Sequence, residues 1–184
     1  MKPSPLSSAA NIYYAEVQTR LLGSIWIAAT DQGICALRFD HDSVEFIAKI
    51  AMQVITQEIP NIIHNPDVLR PYRLALIAYL DERIPIPENL PIDLHQLTDF
   101  QQQILCLVRE LPFGAVTTYG EIAEEIENPN ASRAVGQVLR RNPIPIIIPC
   151  HRVMSADGTL GGYGGVMGSD RKITLLKHEG VILA

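Results

Sequence analysis

Apolar and polar side chains alternate along the N-terminal part of the chain, which favours β-strands over helices. Turn residues at Leu22-Gly23 and at Asp31–Gly33 interrupt this alternation. The segments between the turns are rich in β-branched and aromatic residues: IYYAEVQT, SIWIAAT and ICALRF. We therefore predict about three strands, joined as a meander, between residues 11 and 39.

A helical period follows the strands. Ser43 can cap a helix that extends to about Gln57, and a second apolar helix is predicted from Arg70 to Asp81. The apolar stripe of the first helix consists of Val44, Ile47, Ala48, Ala51 and Ile55. Prolines at positions 85, 87 and 91 then end the helical pattern. We expect a flexible tail at residues 1–10, an α/β domain at residues 11–92 and a mainly helical domain at residues 93–184.

Capping residues mark the helices of the C-terminal half. Thr98 precedes a helix over Asp99–Glu110, and Thr118 forms the S/T-x-x-E spacing of a capping box at the start of a helix that ends near Glu127. A turn at residues 128–130 joins this helix to another over Ala131–Arg141. Two helices joined by about three residues are typical of a helix-turn-helix, although many helical hairpins bind nothing.

The Ala131–Arg141 helix has an apolar and a polar face. Ala131, Ala134, Val135, Val138 and Leu139 share the apolar face, whereas Arg133, Gly136, Gln137 and Arg140 lie opposite. Asn142-Pro143 ends the helix, and residues 143–149 are too rich in proline to form another one. This pattern predicts an extended, buried segment that leads to Cys150.

Charge is distributed unevenly along the chain. The formal net charge of −5 over 184 residues disfavours non-specific binding of nucleic acid by the whole surface. Residues 131–156 contain no acidic side chain, however, and include Arg133, Arg140, Arg141 and Arg152. This segment is therefore a candidate surface for phosphate groups.

The cysteines are few and widely spaced. Cys35, Cys106 and Cys150 fit reduced thiols of an intracellular protein better than a disulfide framework, and we interpret the first two as packed structural thiols. The sequence contains no signal-peptide apolar region, no run of about 18 apolar residues and no spacing typical of a metal site. We expect no metal, no cofactor and no membrane contact.

Four motifs in the C-terminal half resemble those of the O6-alkylguanine-DNA alkyltransferases, the methylated-DNA-protein-cysteine methyltransferases. They are FQQQILCLVRELPFGAVTTYGEIA, SRAVGQVLRRNPIPIIIPCHRV, GGYGG and LLKHEG. The segment LGSIWIAATDQGICALRF is similar, more weakly, to the variable N-terminal domain of that family. The resemblance implies a ribonuclease-H-like α/β domain and a helical domain with a winged helix-turn-helix, which binds the DNA minor groove and flips the damaged guanine out.

The resemblance implies repair of alkylated DNA. The alkyl group of O6-alkylguanine in double-stranded DNA, with O4-alkylthymine as a second candidate lesion, would pass irreversibly to Cys150. The product is a thioether, which has no carbonyl carbon for water to attack, so each molecule reacts once. We expect a monomer without a cofactor, in the cytoplasm of a prokaryote or the nucleus of a eukaryote.

By the same resemblance, five residues take catalytic roles. Cys150 matches the alkyl acceptor, and Asn142 matches the hinge between the helix and the active-site strand. His151 and Glu179 match the relay that activates the thiol, and Tyr119 matches the tyrosine that assists base flipping and contacts the guanine.

Other residues match the binding surfaces of the family. Arg133 matches the arginine that replaces the flipped base in the stack, and the carbonyl groups of Cys150 and Val153 match acceptors for the guanine amino group. Tyr163, Gly164 and Gly165 match a lid beside the pocket; some relatives carry serine in place of Gly164. The expected DNA contacts are Ser132, Arg133, Gly136, Gln137, Arg140 and Arg141.

The chemistry requires a thiolate, so the pKa of Cys150 must fall from its ordinary value of about 8.5. Neighbouring side chains of an extended chain point to opposite faces, so we expect His151 to reach the sulfur through a water molecule. Glu179 can then accept a hydrogen bond from the other imidazole nitrogen and fix the tautomer.

Three other functions remain open from the residues alone. Cys150, His151 and Glu179 fit a Cys–His hydrolase, but no oxyanion-hole element is evident. A non-catalytic protein that binds alkyl lesions would not need the cysteine. A DNA-binding regulator would need side chains that read base edges, and the polar face of the Ala131–Arg141 helix offers few.

Overall fold

The structure is a computed structural model that describes residues 11–39, 42–54, 60–160, 162–163, 166–167 and 170–181. The predicted tail at residues 1–10 and the candidate lid residues Gly164 and Gly165 lie outside these ranges.

A four-stranded sheet forms the N-terminal half within the described residues. Its strands are β1 (Asn11–Thr19), β2 (Gly23–Thr30), β3 (Gly33–Arg38) and β4 (Asn61–His64), in the order β3-β2-β1-β4. The first three strands pair antiparallel, which confirms the predicted meander. β4 was not predicted; it pairs with β1 in parallel. A parallel neighbour needs a long crossover connection, and helix α1 (Ser43–Val54) lies in that connection.

Helix α1 covers one face of the sheet, but through different residues from those predicted. Phe46 and Ile50 are buried against Ile12, and the ring of Phe46 stacks on Trp26 at a centroid distance of 6.0 Å. Val44 is 75% exposed and Ala48 is exposed, so the predicted apolar stripe is wrong at these positions; Ile55 and the predicted helix end at Gln57 lie outside the described residues. The larger Phe46 and Ile50 side chains remove more apolar area from water than the alanines of that stripe.

Helix α2 (Arg70–Glu82) covers the other face of the sheet. Its buried face is formed by Tyr72, Leu76, Tyr79 and Leu80. The helix ends at Arg83 in the left-handed conformation, and the chain then runs back to β3, where Ile34 and Ile92 form an isolated bridge. A Cβ atom on Gly33 would lie 2.6 Å from the carbonyl carbon of Pro91, so this close approach requires glycine.

The C-terminal half is mainly helical. Its elements are α3 (Asp99–Arg109), β5 (Thr117–Thr118), α4 (Tyr119–Glu125), α5 (Ser132–Arg140), β6 (Val153–Met154), β7 (Gly162–Tyr163), β8 (Val166–Met167) and α6 (Asp170–His178). Thr98 and Thr118 form capping boxes, which confirms both predicted helix starts. Cys106 is exposed on α3, so its prediction as a packed thiol is wrong.

The segment between α5 and Cys150 is buried but not extended. Ile144, Ile146, Ile147 and Ile148 are at most 3% exposed, as predicted. Ile146 has a φ of 75°, however, and Pro145 and Ile148 form an isolated bridge across the turn that results. The segment therefore folds back on itself, which brings its end towards the end of α5.

One hydrophobic core contains residues of both halves. It extends from Ala15 and Ile27 of the sheet through Leu76 to Val135 and Leu175 of the C-terminal helices. A backbone hydrogen bond also joins the two halves: Leu37 N–H donates to the carbonyl of Pro143 at 2.8 Å. The domain boundary between residues 92 and 93 stays a prediction.

Candidate active site

Cys150 lies at the start of a short 3₁₀ helix, Cys150–Arg152, directly after the folded-back segment. The side chain is 5% exposed. Its sulfur accepts a hydrogen bond from Asn142 Nδ2 at 3.2 Å. The sequence predicted that Cys150 lies at the end of a buried segment, and the structure places it there.

Asn142 holds the segment in its folded-back form. Its Nδ2 also donates to the carbonyl of Ile148 at 2.9 Å, and its Oδ1 accepts from Ile144 N–H at 3.0 Å. The side chain thus satisfies backbone groups at both ends of the turn and contacts the sulfur as well. These contacts connect the end of α5 to Cys150.

Burial raises the pKa of the Cys150 thiol to about 11. The hydrogen bond from Asn142 and the positive charge of Lys172 lower it, but by less than burial raises it. The expectation of a lowered pKa is therefore wrong for the protein without substrate. A thiol with this pKa is protonated at neutral pH, so the reaction needs a base.

The imidazole of His151 is fully buried and contacts Glu179, with 2.9 Å between Nε2 and Oε1. Burial lowers the pKa of His151, which favours the neutral ring. Its Nδ1 atom is buried and has no hydrogen-bond partner among the described residues. A neutral ring that donates from Nε2 to a carboxylate carries a free lone pair on Nδ1, which can accept a proton.

The expected absence of a direct hydrogen bond between Cys150 and His151 is confirmed, but for a different reason, and the bridging water stays a prediction. The two residues belong to a 3₁₀ helix rather than an extended strand. Among the described residues, the Cys150 sulfur and the His151 ring share no hydrogen bond; the sulfur pairs with Asn142 and the ring with Glu179. In a 3₁₀ helix successive side chains are about a third of a turn apart, which also separates them.

Glu179 is the most heavily bonded side chain of the site. Arg152 donates from Nη2 to Oε1 at 2.7 Å and from Nε to Oε2 at 2.9 Å, and the N–H of Gly114 donates to Oε2 at 3.1 Å. The hydroxyl of Tyr79 donates to Oε1 as well. Burial opposes ionisation, but hydrogen bonds from His151, Arg152 and Tyr79 outweigh it and hold the pKa of Glu179 well below its usual range. The carboxyl group is therefore an anion.

Lys172 is a fully buried cation on α6. Its Nζ donates to the carbonyl of Val153 at 2.6 Å and also to the carbonyl of Leu160. Burial lowers the pKa of Lys172 to about 8, and a thiolate at Cys150 would oppose this shift. Lys172 therefore holds the Val153 carbonyl in place and contributes positive potential near the sulfur.

Two tyrosines are associated with the same hydrophobic cluster as Cys150: Tyr163 is part of it, and Tyr119 packs against it. Burial raises the pKa values of Tyr119 and Tyr163, and a thiolate at Cys150 would raise them further. Tyr119 is half-buried at the start of α4, and a Cβ atom on Gly136 would lie 3.9 Å from its ring. Tyr163 is buried, and its hydroxyl has no hydrogen-bond partner among the described residues.

The candidate DNA contacts differ in their exposure to solvent. Arg133, Gln137 and Arg140 are exposed on α5, whereas Ser132 and Gly136 are half-buried. Arg141 is exposed too, but it lines a cavity of about 190 Å³ between the two halves, together with Thr30 and Asp93. Ala134, predicted on the apolar face of the helix, is exposed.

Two models of one protein family match the chain in succession. The ribonuclease-like domain of 6-O-methylguanine DNA methyltransferase matches residues 12–94, and the DNA-binding domain of the same family matches residues 99–181. The chain belongs to the 6-O-methylguanine DNA methyltransferase family. The predicted fold, an α/β N-terminal domain followed by a helical DNA-binding domain, is therefore confirmed.

Individual members of the family are similar over different lengths. A methylated-DNA–protein-cysteine methyltransferase of Methanosarcina mazei is 44% identical over 124 residues, which are 66% of this chain and 75% of that protein. The enzyme of Methanosarcina acetivorans is 54% identical over 83 residues, 45% of this chain and 52% of that protein. The chain thus spans about half the length of several curated relatives that it matches.

Solved structures of the family cover almost the whole chain. Mycobacterium tuberculosis OGT in complex with DNA has a TM-score of 0.72 at 31% identity, over 91% of this chain and 92% of that one. The O6-methylguanine methyltransferase of the same organism has a TM-score of 0.73 at 31% identity, over 94% and 96%.

Sequence reasoning missed three polar residues of the site: Arg152, Lys172 and Tyr79. Arg152 stands in the PCHRV motif but was considered only as a surface cation. Lys172 precedes the buried Leu175 and Leu176 at helical spacing, so a lysine on an apolar face was a usable signal. Tyr79 belongs to the N-terminal half, and no local pattern distinguishes it from a core tyrosine.

None of the helices in the described part of the chain is long and apolar enough to cross a membrane.

Proposed function

We propose that this protein repairs DNA by transferring the alkyl group of O6-alkylguanine to the sulfur of Cys150, once per molecule, as a methylated-DNA–protein-cysteine methyltransferase. The observation that carries the proposal is the environment of that sulfur. It is buried and accepts a hydrogen bond from Asn142, it precedes the His151–Glu179 pair along the chain, and it shares a core cluster with Tyr163, against which Tyr119 packs. Family membership and the DNA complex of a relative support double-stranded DNA as the partner.

The reaction exchanges a proton for an alkyl group. The thiol proton of Cys150 passes to Nδ1 of His151, and we propose a bridging water because the two side chains share no direct hydrogen bond. The sulfur then forms a bond to the alkyl carbon, and the bond from that carbon to guanine O6 breaks. The departing guanine takes up one proton, which the His151 imidazolium returns by way of water, so the imidazole is neutral again and the products are an S-alkyl cysteine and an unmodified guanine.

The hydrogen bonds of the site support this proton path. Glu179 is an anion that fixes the Nε2–H tautomer of His151 and stabilises the imidazolium once Nδ1 has accepted the proton. Arg152 and Gly114 hold the carboxylate in turn. The proposed roles need neither a metal nor an organic cofactor.

We propose that groups close to Cys150 in the chain also form the guanine pocket. The carbonyl of Val153 accepts from Lys172 and the carbonyl of Cys150 accepts from Val153 N–H, so each keeps one lone pair for the guanine amino group. Tyr119 and Tyr163 would contact the flipped base, with Gly164 and Gly165 beside it. Arg133 would fill the vacated stack.

The DNA surface is proposed on α5, where Ser132, Arg133, Gly136, Gln137 and Arg140 follow one another, with Arg141 at its end. A monomer is sufficient for this geometry. Because the substrate is genomic DNA, we propose an intracellular location, cytoplasmic in a prokaryote and nuclear in a eukaryote.

The intact mass of the protein, before and after incubation with a duplex that contains O6-methylguanine, tests the proposal. We expect a gain of one methyl group, located by peptide mapping at Cys150 and absent from Cys35 and Cys106. Cys150→Ser should bind the same duplex without any gain in mass. Binding without a change in mass in the unaltered protein would indicate a lesion-binding protein or a regulator instead. The same experiment with O4-methylthymine tests the second lesion.

A further inference from the structure

Tyr79 is a fully buried side chain of α2, so it comes from the N-terminal half, yet it contacts the candidate relay of the C-terminal half. Its hydroxyl donates to Oε1 of Glu179 and lies 3.3 Å from Nε2 of His151. These contacts join residues that are 100 and 72 positions apart in the sequence. The proposed transfer chemistry assigns this hydroxyl no role so far.

The protons of this cluster can be assigned by elimination. Burial raises the pKa of Tyr79 and the neighbouring Glu179 charge raises it further, so the phenol keeps its proton. That proton points to Glu179, which as a carboxylate can only accept. The phenol oxygen therefore offers only lone pairs to His151 Nε2, and Nε2 must carry a hydrogen that faces two acceptors.

The ring of Tyr79 is held firmly enough to keep this orientation. It meets the rings of Phe113 and His178 edge to face, at centroid distances of 5.9 and 5.6 Å. The His178 ring also hydrogen-bonds the Tyr79 carbonyl through Nε2 at 2.7 Å. Phe113 precedes Gly114, whose N–H donates to Glu179, so the same cluster supports two of the donors to the carboxylate, Tyr79 and Gly114.

We infer that Tyr79 is a positioning residue of the alkyl-transfer site, supplied by the N-terminal half, which fixes the Nε2–H tautomer of His151 and orients Glu179. The inference rests on the proposed function. Two acceptors on Nε2–H make Nδ1 more basic, and they stabilise the imidazolium that forms when Nδ1 takes the thiol proton. The N-terminal half thereby contributes to the chemical step as well as to stability.

Tyr79→Phe in the full chain tests this role, because it removes the hydroxyl and keeps the ring. We expect transfer from an O6-methylguanine duplex, measured in single turnover at saturating DNA, to slow about tenfold, since a hydrogen bond to a charged group typically contributes that factor or more. The ¹⁵N chemical shifts of the His151 ring should also move away from those of a pure Nε2–H tautomer.

Tyr72→Phe is the matched control. Tyr72 lies two turns earlier on α2 and is buried, and among the described residues its hydroxyl makes no hydrogen bond to Glu179 or His151. Its removal should leave the transfer rate and the His151 shifts unchanged, while both variants lose some thermal stability. This comparison separates loss of a buried hydroxyl in general from loss of this contact.

The same substitution in a His151→Ala protein distinguishes a positioning role of Tyr79 from a packing role. In His151→Ala the relay is absent, so adding Tyr79→Phe should slow transfer less than twofold further. An equal fold loss with and without His151, or a Tyr79→Phe protein as fast as the unaltered one, would overturn the inference. If the unaltered protein transfers no methyl group at all, the proposed function fails instead.

Discussion

Burial of ionisable groups controls the charge state of the site at residue scale. Cys150 is a protonated thiol at neutral pH because burial raises its pKa to about 11, and burial keeps His151 neutral by lowering its pKa. Glu179 remains an anion because Arg152 and other donors surround it. The Cys150 thiol is therefore in its unreactive, protonated form, and the neutral imidazole of His151 follows it in the chain.

One prediction follows from the thiol pKa. The reaction of Cys150 with a small uncharged electrophile should speed up about tenfold per pH unit below pH 11, because the thiolate fraction rises by that factor. Asn142→Ala should move this titration to higher pH, since it removes the hydrogen bond that stabilises the thiolate. Ultraviolet thiolate absorbance in a protein without Cys35 and Cys106 measures it, and a plateau near neutral pH would contradict the assignment.

A second prediction concerns the relay. His151→Ala and Glu179→Gln should each slow methyl transfer by about 100-fold, within the range of general-base catalysis, while affinity for the lesion-containing duplex is kept. Single-turnover transfer and fluorescence anisotropy measure the two quantities separately. Loss of DNA binding with an unchanged transfer rate on bound DNA would mean that these residues are structural.

At the scale of elements, individual helices position the groups that we propose as DNA contacts. The capping box of Thr118 and Glu121 starts α4 at Tyr119, so this ring emerges from a rigid helix end beside Gly136 of α5. The exposed arginines of α5 then face solvent from the same pair of helices. Their positions follow from local sequence, whereas the folded-back segment that returns the chain to Cys150 does not.

A third prediction tests Arg133 against its neighbour on the same helix. Arg133→Ala should slow repair of O6-methylguanine in duplex DNA more than repair of the free base, because filling the stack helps only when a base is flipped. Arg140→Ala should weaken duplex binding and reduce its salt dependence but leave the rate on saturating DNA unchanged. Equal losses of Arg133→Ala on both substrates would exclude the stacking role.

One core joins the two halves at the scale of the whole molecule. Leu76 of α2 and Val135 of α5 belong to the same buried cluster, and Tyr79 extends that contact to the relay. Changes at the sulfur should therefore affect the stability of the entire chain. Cys150 is 5% exposed, and its sulfur accepts a hydrogen bond from Asn142.

The last prediction is that the methylated protein is less stable than the unmodified one. An added methyl group in a packed site typically costs about 1–3 kcal/mol, and methylation also weakens the hydrogen bond that the sulfur accepts from Asn142. For a chain of this size the melting temperature should fall by about 2–4 °C per kcal/mol. Calorimetry of protein before and after one equivalent of substrate measures it, with Cys150→Ser as the unreactive control; release of more than one methyl group per protein would contradict single turnover.

Local sequence patterns predicted most of the strands and helices, and they predicted the position of Cys150 at the end of a buried segment. Alternation predicted β1 to β3, and the capping residues Thr98 and Thr118 predicted where α3 and α4 begin. Such signals depend on interactions between residues a few positions apart, which a sequence displays directly. The motif around Cys150 likewise singled out the thiol that we propose as the alkyl acceptor, because the motif is continuous in the chain.

Interactions between distant residues established the rest. β4 is paired across a crossover, the buried face of α1 was chosen by its fit to the sheet, and Ile146 adopts a left-handed turn so that Asn142 can reach Cys150. The raised thiol pKa and the contact of Tyr79 with Glu179 arise from burial and from packing of one half on the other. Burial depends on which surfaces meet, and that arrangement exists only after the chain has folded.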